Sequence, residues 1–255
     1  MRGFCLSVIC LASCAQPVRL DEAKLVDLSY AFDERTIYWP TARRFELTQV
    51  VHGMNDAGLW YASNEFCASE HGGTHLDAPL HFAEGRMTTA DIPVQQLVGP
   101  ARVIDIRAAC AGNPDYLLTP LDVETHELQH GRVEPGSVVL VHTGWGRFYP
   151  EAKRYLGSEV RGEAKDLHFP GIGEAAAKLL VERGVALVGI DTASLDHGPS
   201  TDFRAHRVLN EANIAGLENV ANLDRLPPRG ATLIALPMKI AGGTGGPCRI
   251  VALLP

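Results

Sequence analysis

Three imidazoles and a carboxylate fall within eleven residues of this chain, in the run His71-Gly72-Gly73-Thr74-His75-Leu76-Asp77-Ala78-Pro79-Leu80-His81. All four occupy odd-numbered positions. In an extended segment side chains alternate between faces, so His71, His75, Asp77 and His81 project to one side while Leu76, Ala78, Leu80 and Phe82 project to the other. One face then carries metal chemistry and the other packs into a core. Pro79 and the tandem glycines argue against a helix, because proline lacks a backbone donor and glycine is costly to order. Imidazole and carboxylate suit a divalent ion such as Zn2+ or Mn2+, and three protein ligands plus water make a catalytic site rather than a closed structural one. His81 is then left over as an acid or base. The ordinary alternative, a turn whose histidines bond only to backbone, accounts poorly for four such groups on one face.

A second pattern competes for the metal. His126-Glu127-Leu128-Gln129-His130 satisfies HExxH, in which two histidines one helical turn apart bind zinc and the glutamate activates water. Gly131 follows at once and Val133-Glu134-Pro135-Gly136 begins a turn, so the helix ends at the second histidine. The flanks read as a short surface helix with Asp122 as its N-cap. Five residues with two free positions are weakly specific, and the protease reading takes second place.

The string from His71 to Phe82 resembles the signature of the metal-dependent cyclase/hydrolase superfamily, which includes bacterial kynurenine formamidases and isatin hydrolases. The likeness runs from about Leu25 to Leu254. It takes in Gly189-Ile190-Asp191-Thr192-Ala193-Ser194, Asp202-Phe203-Arg204-Ala205-His206-Arg207, Leu217-Glu218-Asn219-Val220 and Pro237-Met238-Lys239-Ile240 with the glycine-rich tail after it. The resemblance implies that His71, His75 and Asp77 bind a first metal and that Asp77, His206 and Glu218 hold a second. It implies that His81 moves protons and that Trp39 contacts the substrate. Some relatives use a single manganese, so one or two ions of Zn2+ or Mn2+ are expected. On residue type alone His206 could cap or pair and Glu218 could lie at the surface; a Glu beside Leu217 and Val220 is costly to bury unless something cationic neutralises it. Asp191, Ser194 and Asp196 follow a strand-like run and are candidates to line the pocket or orient ligands, with His197 in the same loop or solvated. The resemblance further implies a swivelling β/β/α single domain, commonly assembled as a dimer or tetramer.

The elements that must position these groups alternate in type. Ala101–Ile106, Val138–His142, Val185–Ile190 and Thr232–Leu236 are short β-branched runs of the kind that form buried strands. Glu174–Arg183 reads as a helix, entered past Gly171 and Gly173 and closed by Gly184. The fold class is α/β. Gly242 to Pro247 reads as a flexible loop or as backbone able to approach a ligand closely; no Lys-Ser/Thr ending or following helix makes it a phosphate loop.

At 255 residues, with 46% hydrophobic and 21% charged, the chain is an ordinary globular size and composition. A net charge of −7, with no basic cluster beyond Arg43-Arg44, excludes a nucleic-acid partner from the expectation. Residues 1–13 carry Arg2 and then an apolar run, ending in Leu11-Ala12-Ser13 before Cys14. That pattern is a lipoprotein signal, cut before a lipidated Cys14, and it predicts a periplasmic, lipid-anchored protein; without a working signal the protein would be cytoplasmic. Removing residues 1–13 takes away one Arg and no acid, moving the charge from −7 to −8. Cys67, Cys110 and Cys248 remain, an odd number without CxxC spacing, and are expected to be buried thiols.

The function expected is metal-dependent hydrolysis of a C–N amide bond, in an aryl formamide or cyclic amide, by metal-activated water with His81 as acid/base. The substrate is a small, aromatic molecule. The alternatives are a lactonase or cyclase at the same metal, and a non-catalytic periplasmic binding lipoprotein.

Overall fold

Three of the four β-branched runs become parallel strands at the centre of one large sheet, and the fourth, Thr232–Leu236, becomes an antiparallel one, in a computed structural model that describes residues 21–255. The expected signal at residues 1–13 and Cys14 lie outside the described residues. In chain order the strands are β1 Leu25–Asp27, β2 Glu46–Met54, β3 Trp60–Cys67, β4 His75–Asp77, β5 Val98–Asp105, β6 Leu117–Leu118, β7 Val138–His142, β8 Gly171–Ile172, β9 Leu187–Ile190, β10 Ala215–Glu218, β11 Arg229–Pro237 and β12 Gly245–Leu253. The helices are α1 Arg107–Gly112, α2 Pro120–His130, α3 Ala152–Leu156, α4 Glu174–Glu182 and α5 Arg204–Glu211.

β5, β7, β9 and β10 pair in parallel, β11 and β4 flank them antiparallel, and β12 closes the ring. β12 pairs with β11 along one edge. Along the other, Gly245–Pro247 pair with β4 and the end of the strand pairs with β1, Leu25 opposite Leu253. The result is a barrel-like sheet, which leaves few open edges.

Strand alternation divides the core in two. Leu76, Leu140, Leu187, Leu217, Leu233 and Ile250 face inward and fill the barrel. Their neighbours Ile104, Val139, Val141, Val188 and Ile190 face outward and are covered by Val123 of α2, Ala176, Ala177 and Leu180 of α4, and Ala205 and Leu209 of α5. The α/β expectation holds, and helix 174–183 ends one residue early, with Arg183 as its C-cap and Gly184 at φ +69°.

Three local expectations are corrected. The segment from His71 to His81 is a strand only over His75–Asp77, and Pro79–His81 forms a 3-10 turn, since Pro79 seats well in a first turn. Asp122 is not the N-cap of α2: Thr119 is, with Asp122 three residues on completing a reciprocal capping box. Cys110 and Cys248 are buried, and burial pushes both thiols up to about 12, but Cys67 at the end of β3 is exposed. Among the described residues no helix is long and apolar enough to cross a membrane.

The capping box gives a direct test. Thr119→Ala removes the side chain that accepts from the Asp122 amide and should cost about 1 kcal/mol in urea unfolding, with the slope of the transition unchanged.

Candidate metal centre and substrate pocket

β4 lies between β10 and β12, so the outward side chains of three strands converge on its outer face. Leu76 and Leu217 point into the barrel while His75, Asp77 and Glu218 point out, and the register sets Glu218 directly opposite His75. Both neighbours of Asp77 are glycines, Gly216 and Gly245. A Cβ on Gly245 would stand 2.5 Å from His71 Cε1, so only glycine admits the His71 ring here. The glycine-rich tail is therefore partly strand, and its close approach is to His71.

The two carboxylates divide their oxygens between histidines. Asp77 Oδ1 lies 2.6 Å from His71 Nδ1 and 3.1 Å from His75 Nε2, while Oδ2 lies 3.1 Å from His206 Nε2. Glu218 Oε2 is 3.5 Å from His75 Nε2, and Oε1 is 3.1 Å from His206 Nε2 and accepts from the Leu195 amide at 2.9 Å. His75, Asp77, His206 and Glu218 are each at most 5% exposed.

This donor set fits a divalent ion. His75 Nδ1 bonds the Gly73 carbonyl at 2.9 Å, which leaves Nε2 buried, close to two carboxylates and without a properly aligned hydrogen bond. Donor separations of 3.1–3.5 Å are those of ligands each ~2.0–2.2 Å from one ion. Two donor groups are close enough to hold metal, His75 with Asp77 and Glu218, and His71 with Asp77 and His81. His81, expected only as an acid or base, thus stands within ligand reach of His71 and Asp77; its ring stacks on His71 at 3.7 Å.

The charges explain why a cation belongs here. Burial alone would lower the His75 imidazole, but Asp77 and Glu218 outweigh it and lift it to about 9. His206 is likewise raised against its burial by Asp196, Asp77 and Glu218. Burial would raise the Asp77 carboxyl, yet the surrounding histidines hold it well below the usual range, while Glu218 is pushed up by burial and by Asp77. Imidazolium protons balance the two carboxylates in the protein alone, and a divalent ion supplies the same charge without them.

Sequence reasoning placed the five donors and His81 in one cluster, and the structure brings all six together. Asp196 joins them, its Oδ2 bonding His206 Nδ1 at 2.6 Å while its two oxygens take the amides of Ala205 and His206, so it caps α5 and aims His206 Nε2 at the carboxylates. Ser194 lines the pocket. Asp191 does not: it accepts from Thr143 and Gly144 and anchors the loop after β7 instead. His197 lines no part of the pocket either, its backbone packing against Gly171. The HExxH glutamate is also occupied, because Glu127 pairs with Arg183 at 2.8 Å through both oxygens and takes the Val133 amide.

Above the donors lies a cavity of about 250 Å³, lined by Trp39, Phe82, Phe203, His71, His81 and Ser194 among others. Trp39 was in view from the sequence, but Phe203 as a wall was not, and Phe82, expected on the core face, lies in the pocket instead because the chain turns at Pro79–His81. It sits at φ +48°, a left-handed conformation rare for a bulky side chain, and its ring meets Phe82 at 5.1 Å and Trp39 at 6.2 Å. The residue type inside Asp202-Phe203-Arg204 gives no sign of that backbone. Thr244 was missed as well; its hydroxyl lies 2.9 Å from His71 Nε2 and is shared with Glu70.

Fold and site together define a single-domain, metal-dependent hydrolase with a mixed α/β, barrel-like sheet. The chain belongs to the Cyclase family, whose model ("Putative cyclase") matches residues 26–197. It is 36% identical over 207 residues to an isatin hydrolase of Roseibium aggregatum, covering 78% of this chain and 77% of that one. It is 32% identical to a kynurenine formamidase of Salinibacter ruber, over 89% and 96% of the two chains. Among solved structures, isatin hydrolase A of Labrenzia aggregata bound to benzyl benzoate superposes with a TM-score of 0.82 at 33% identity, covering 90% of this chain and 93% of that one.

Ion binding to a site that exists only in the folded chain raises stability by mass action. Zn2+ or Mn2+ at about 100 times its Kd should add about 2.7 kcal/mol, raising Tm of the chelator-treated protein by roughly 5–10 °C in a thermal melt. His75→Ala should abolish most of that shift.

Proposed function

We propose that this protein hydrolyses a C–N amide bond in a small aromatic substrate, an aryl formamide or a cyclic amide. The carrying observation is the split of Asp77 and Glu218 between two sets of histidines beneath an aromatic-walled cavity. His71, His75 and Asp77 would hold one ion, and Asp77, His206 and Glu218 a second where two are bound, with Zn2+ and Mn2+ both compatible with imidazole and carboxylate. When bound, the ion activates water near neutral pH and polarises the carbonyl.

The chain's own groups do the rest. Burial lowers the His81 imidazole to about 4, with Asp77 pulling the other way and His71, His206 and His75 adding to the lowering, so it is uncharged at neutral pH and free to accept a proton. It takes the proton of the attacking water and returns it to the departing nitrogen. Trp39, Phe82 and Phe203 clasp a flat ring and keep water from its faces. Asp196 holds His206 in place through Nδ1.

N-formylkynurenine and isatin, the linear and cyclic versions of such a substrate, are the compounds to assay. His81→Ala should keep its metal by mass spectrometry while kcat falls ~10²–10⁴-fold, the usual worth of general acid-base help. Near-normal turnover with metal bound would remove His81 from the mechanism. Trp39→Ala should raise KM for aryl amides more than for aliphatic ones, and equal effects would remove the stacking role. Activity on lactones but not amides would replace C–N hydrolysis with the C–O alternative.

A homo-oligomer is proposed from the β2–β3 hairpin. Leu47, Met54, Trp60, Tyr61 and Phe66 are each more than half exposed on it, and a two-stranded ribbon is marginal alone. Every copy carries the same apolar arm, which suits a two-fold contact with a second copy. Light scattering should give a dimer or larger for the wild type and a monomer for Trp60→Glu with Phe66→Glu; a monomeric wild type would dismiss it.

A further inference from the structure

A second cavity lies apart from the substrate pocket. About 670 Å³ in volume, it lies beside α2 at the carboxyl ends of β5 and β7 and shares no lining residue with the pocket over the catalytic donors. His126 and His130 of α2, His142 at the end of β7 and Asp224 all line it. These include both histidines of the HExxH pattern, which the hydrolase site leaves unused.

We propose that this cavity is a second metal site, where the imidazoles of His126 and His130 together hold a borderline divalent ion such as Zn2+. The two residues stand one helical turn apart, on the same face of α2. Their ring centroids are 5.1 Å apart. Two imidazoles bound to one tetrahedral ion at ~2.0–2.1 Å have ring centres about 5 Å apart, so the pair already has the spacing of a chelate.

His126 supplies an independent sign. It is 5% exposed, and its Nε2 is buried with no hydrogen-bond partner, the state in which a ring nitrogen is costly to leave. Three guanidinium groups stand near the pair, each engaged by another acceptor: Arg102 and Arg229 donate to the His130 backbone carbonyl, at 3.4 and 3.2 Å, and Arg107, which lines the cavity, pairs with Asp105. Asp224 makes no ion pair among the described residues and adds negative charge to the rim.

The site is for binding rather than hydrolysis. Among the described residues no third histidine, cysteine or carboxylate is gathered as closely around the pair as the donors of the catalytic cluster are, so two protein ligands and water complete the shell. Glu127, which HExxH would make the base, is committed to Arg183 and the Val133 amide.

The test counts ions in a protein whose catalytic cluster is disabled. Full-length protein carrying His75→Ala and Asp77→Ala, the second because Asp77 belongs to both donor groups of the catalytic cluster, and the same protein carrying in addition His130→Ala or His126→Gln, are dialysed against tens of micromolar Zn2+ and assayed by mass spectrometry. His130 is half-buried on a helix end, and glutamine keeps the bulk and polarity of His126, so circular dichroism should match the parent in both. Each added substitution should remove one zinc per chain, and Cu2+ in place of zinc should show two coupled nitrogens by electron paramagnetic resonance only in the parent. Equal zinc in parent and variants would overturn the proposal. So would a parent that binds no zinc once His75 and Asp77 are gone, because every ion would then belong to the catalytic cluster.

Discussion

Two carboxylates, Asp77 and Glu218, are buried within reach of the same imidazoles, and their charge is the constraint around which the rest of the site is arranged. Taking an ion out of water costs several kcal/mol, and two like charges side by side add to it. A sheet face that presents both must surround them with positive charge or hydrogen-bond donors. His75 and His206 provide the first, and His71 and the Leu195 amide the second. The raised imidazoles and depressed Asp77 carboxyl record that same compensation, which a divalent ion completes.

The closed sheet is what makes this arrangement rigid. β4 has only three residues, so alone it could not hold two ligands at fixed separation. Pairing on both sides, to β10 and to the start of β12, sets its register twice over. The inward side chains of the same strands are Leu76 and Leu217, packed in the barrel, so sliding β4 by one residue would turn a histidine into the apolar barrel and a leucine onto the donor face. Core packing and ligand geometry are thus one requirement. α5 brings the remaining donor from outside the sheet, and Asp196 ties its first turn and its histidine to one carboxylate.

Much of this was legible where the chemistry is local. Parity over His75 to Asp77 separated the two outward-facing donors from the inward core residue Leu76 as the structure has them, and the β-branched runs marked strands, three parallel and one, Thr232–Leu236, antiparallel. The parity rule failed at His71 and His81, which reach the site from a bend and a 3-10 turn rather than from a strand. His206 and Glu218 lie 129 and 141 residues beyond Asp77, and no local periodicity could join them to it. Their order and surrounding motifs carried them in through the family resemblance. Phe203 was invisible as a pocket wall because its role depends on a left-handed backbone that residue type does not announce. Asp122 misled for the opposite reason: it does take part in the cap of α2, but from inside the helix.

One environment sets opposite tasks for neighbouring histidines. His75 and His81 are six residues apart and both are largely buried, yet one imidazole is lifted to about 9 and the other lowered to about 4. The difference lies in what burial leaves each ring beside. His75 faces two carboxylates, so charge on it is favoured and a cation in its place is favoured equally. His81 stacks on His71 near two further imidazoles, under the aromatic wall of the pocket, so a second positive charge there is opposed and its nitrogen stays free. Groups whose environments push their proton affinities apart divide into a structural role and an acid-base role. Here the division follows from a single feature, the apolar cavity that desolvates the whole cluster while Asp77 and Glu218 lie on only one side of it.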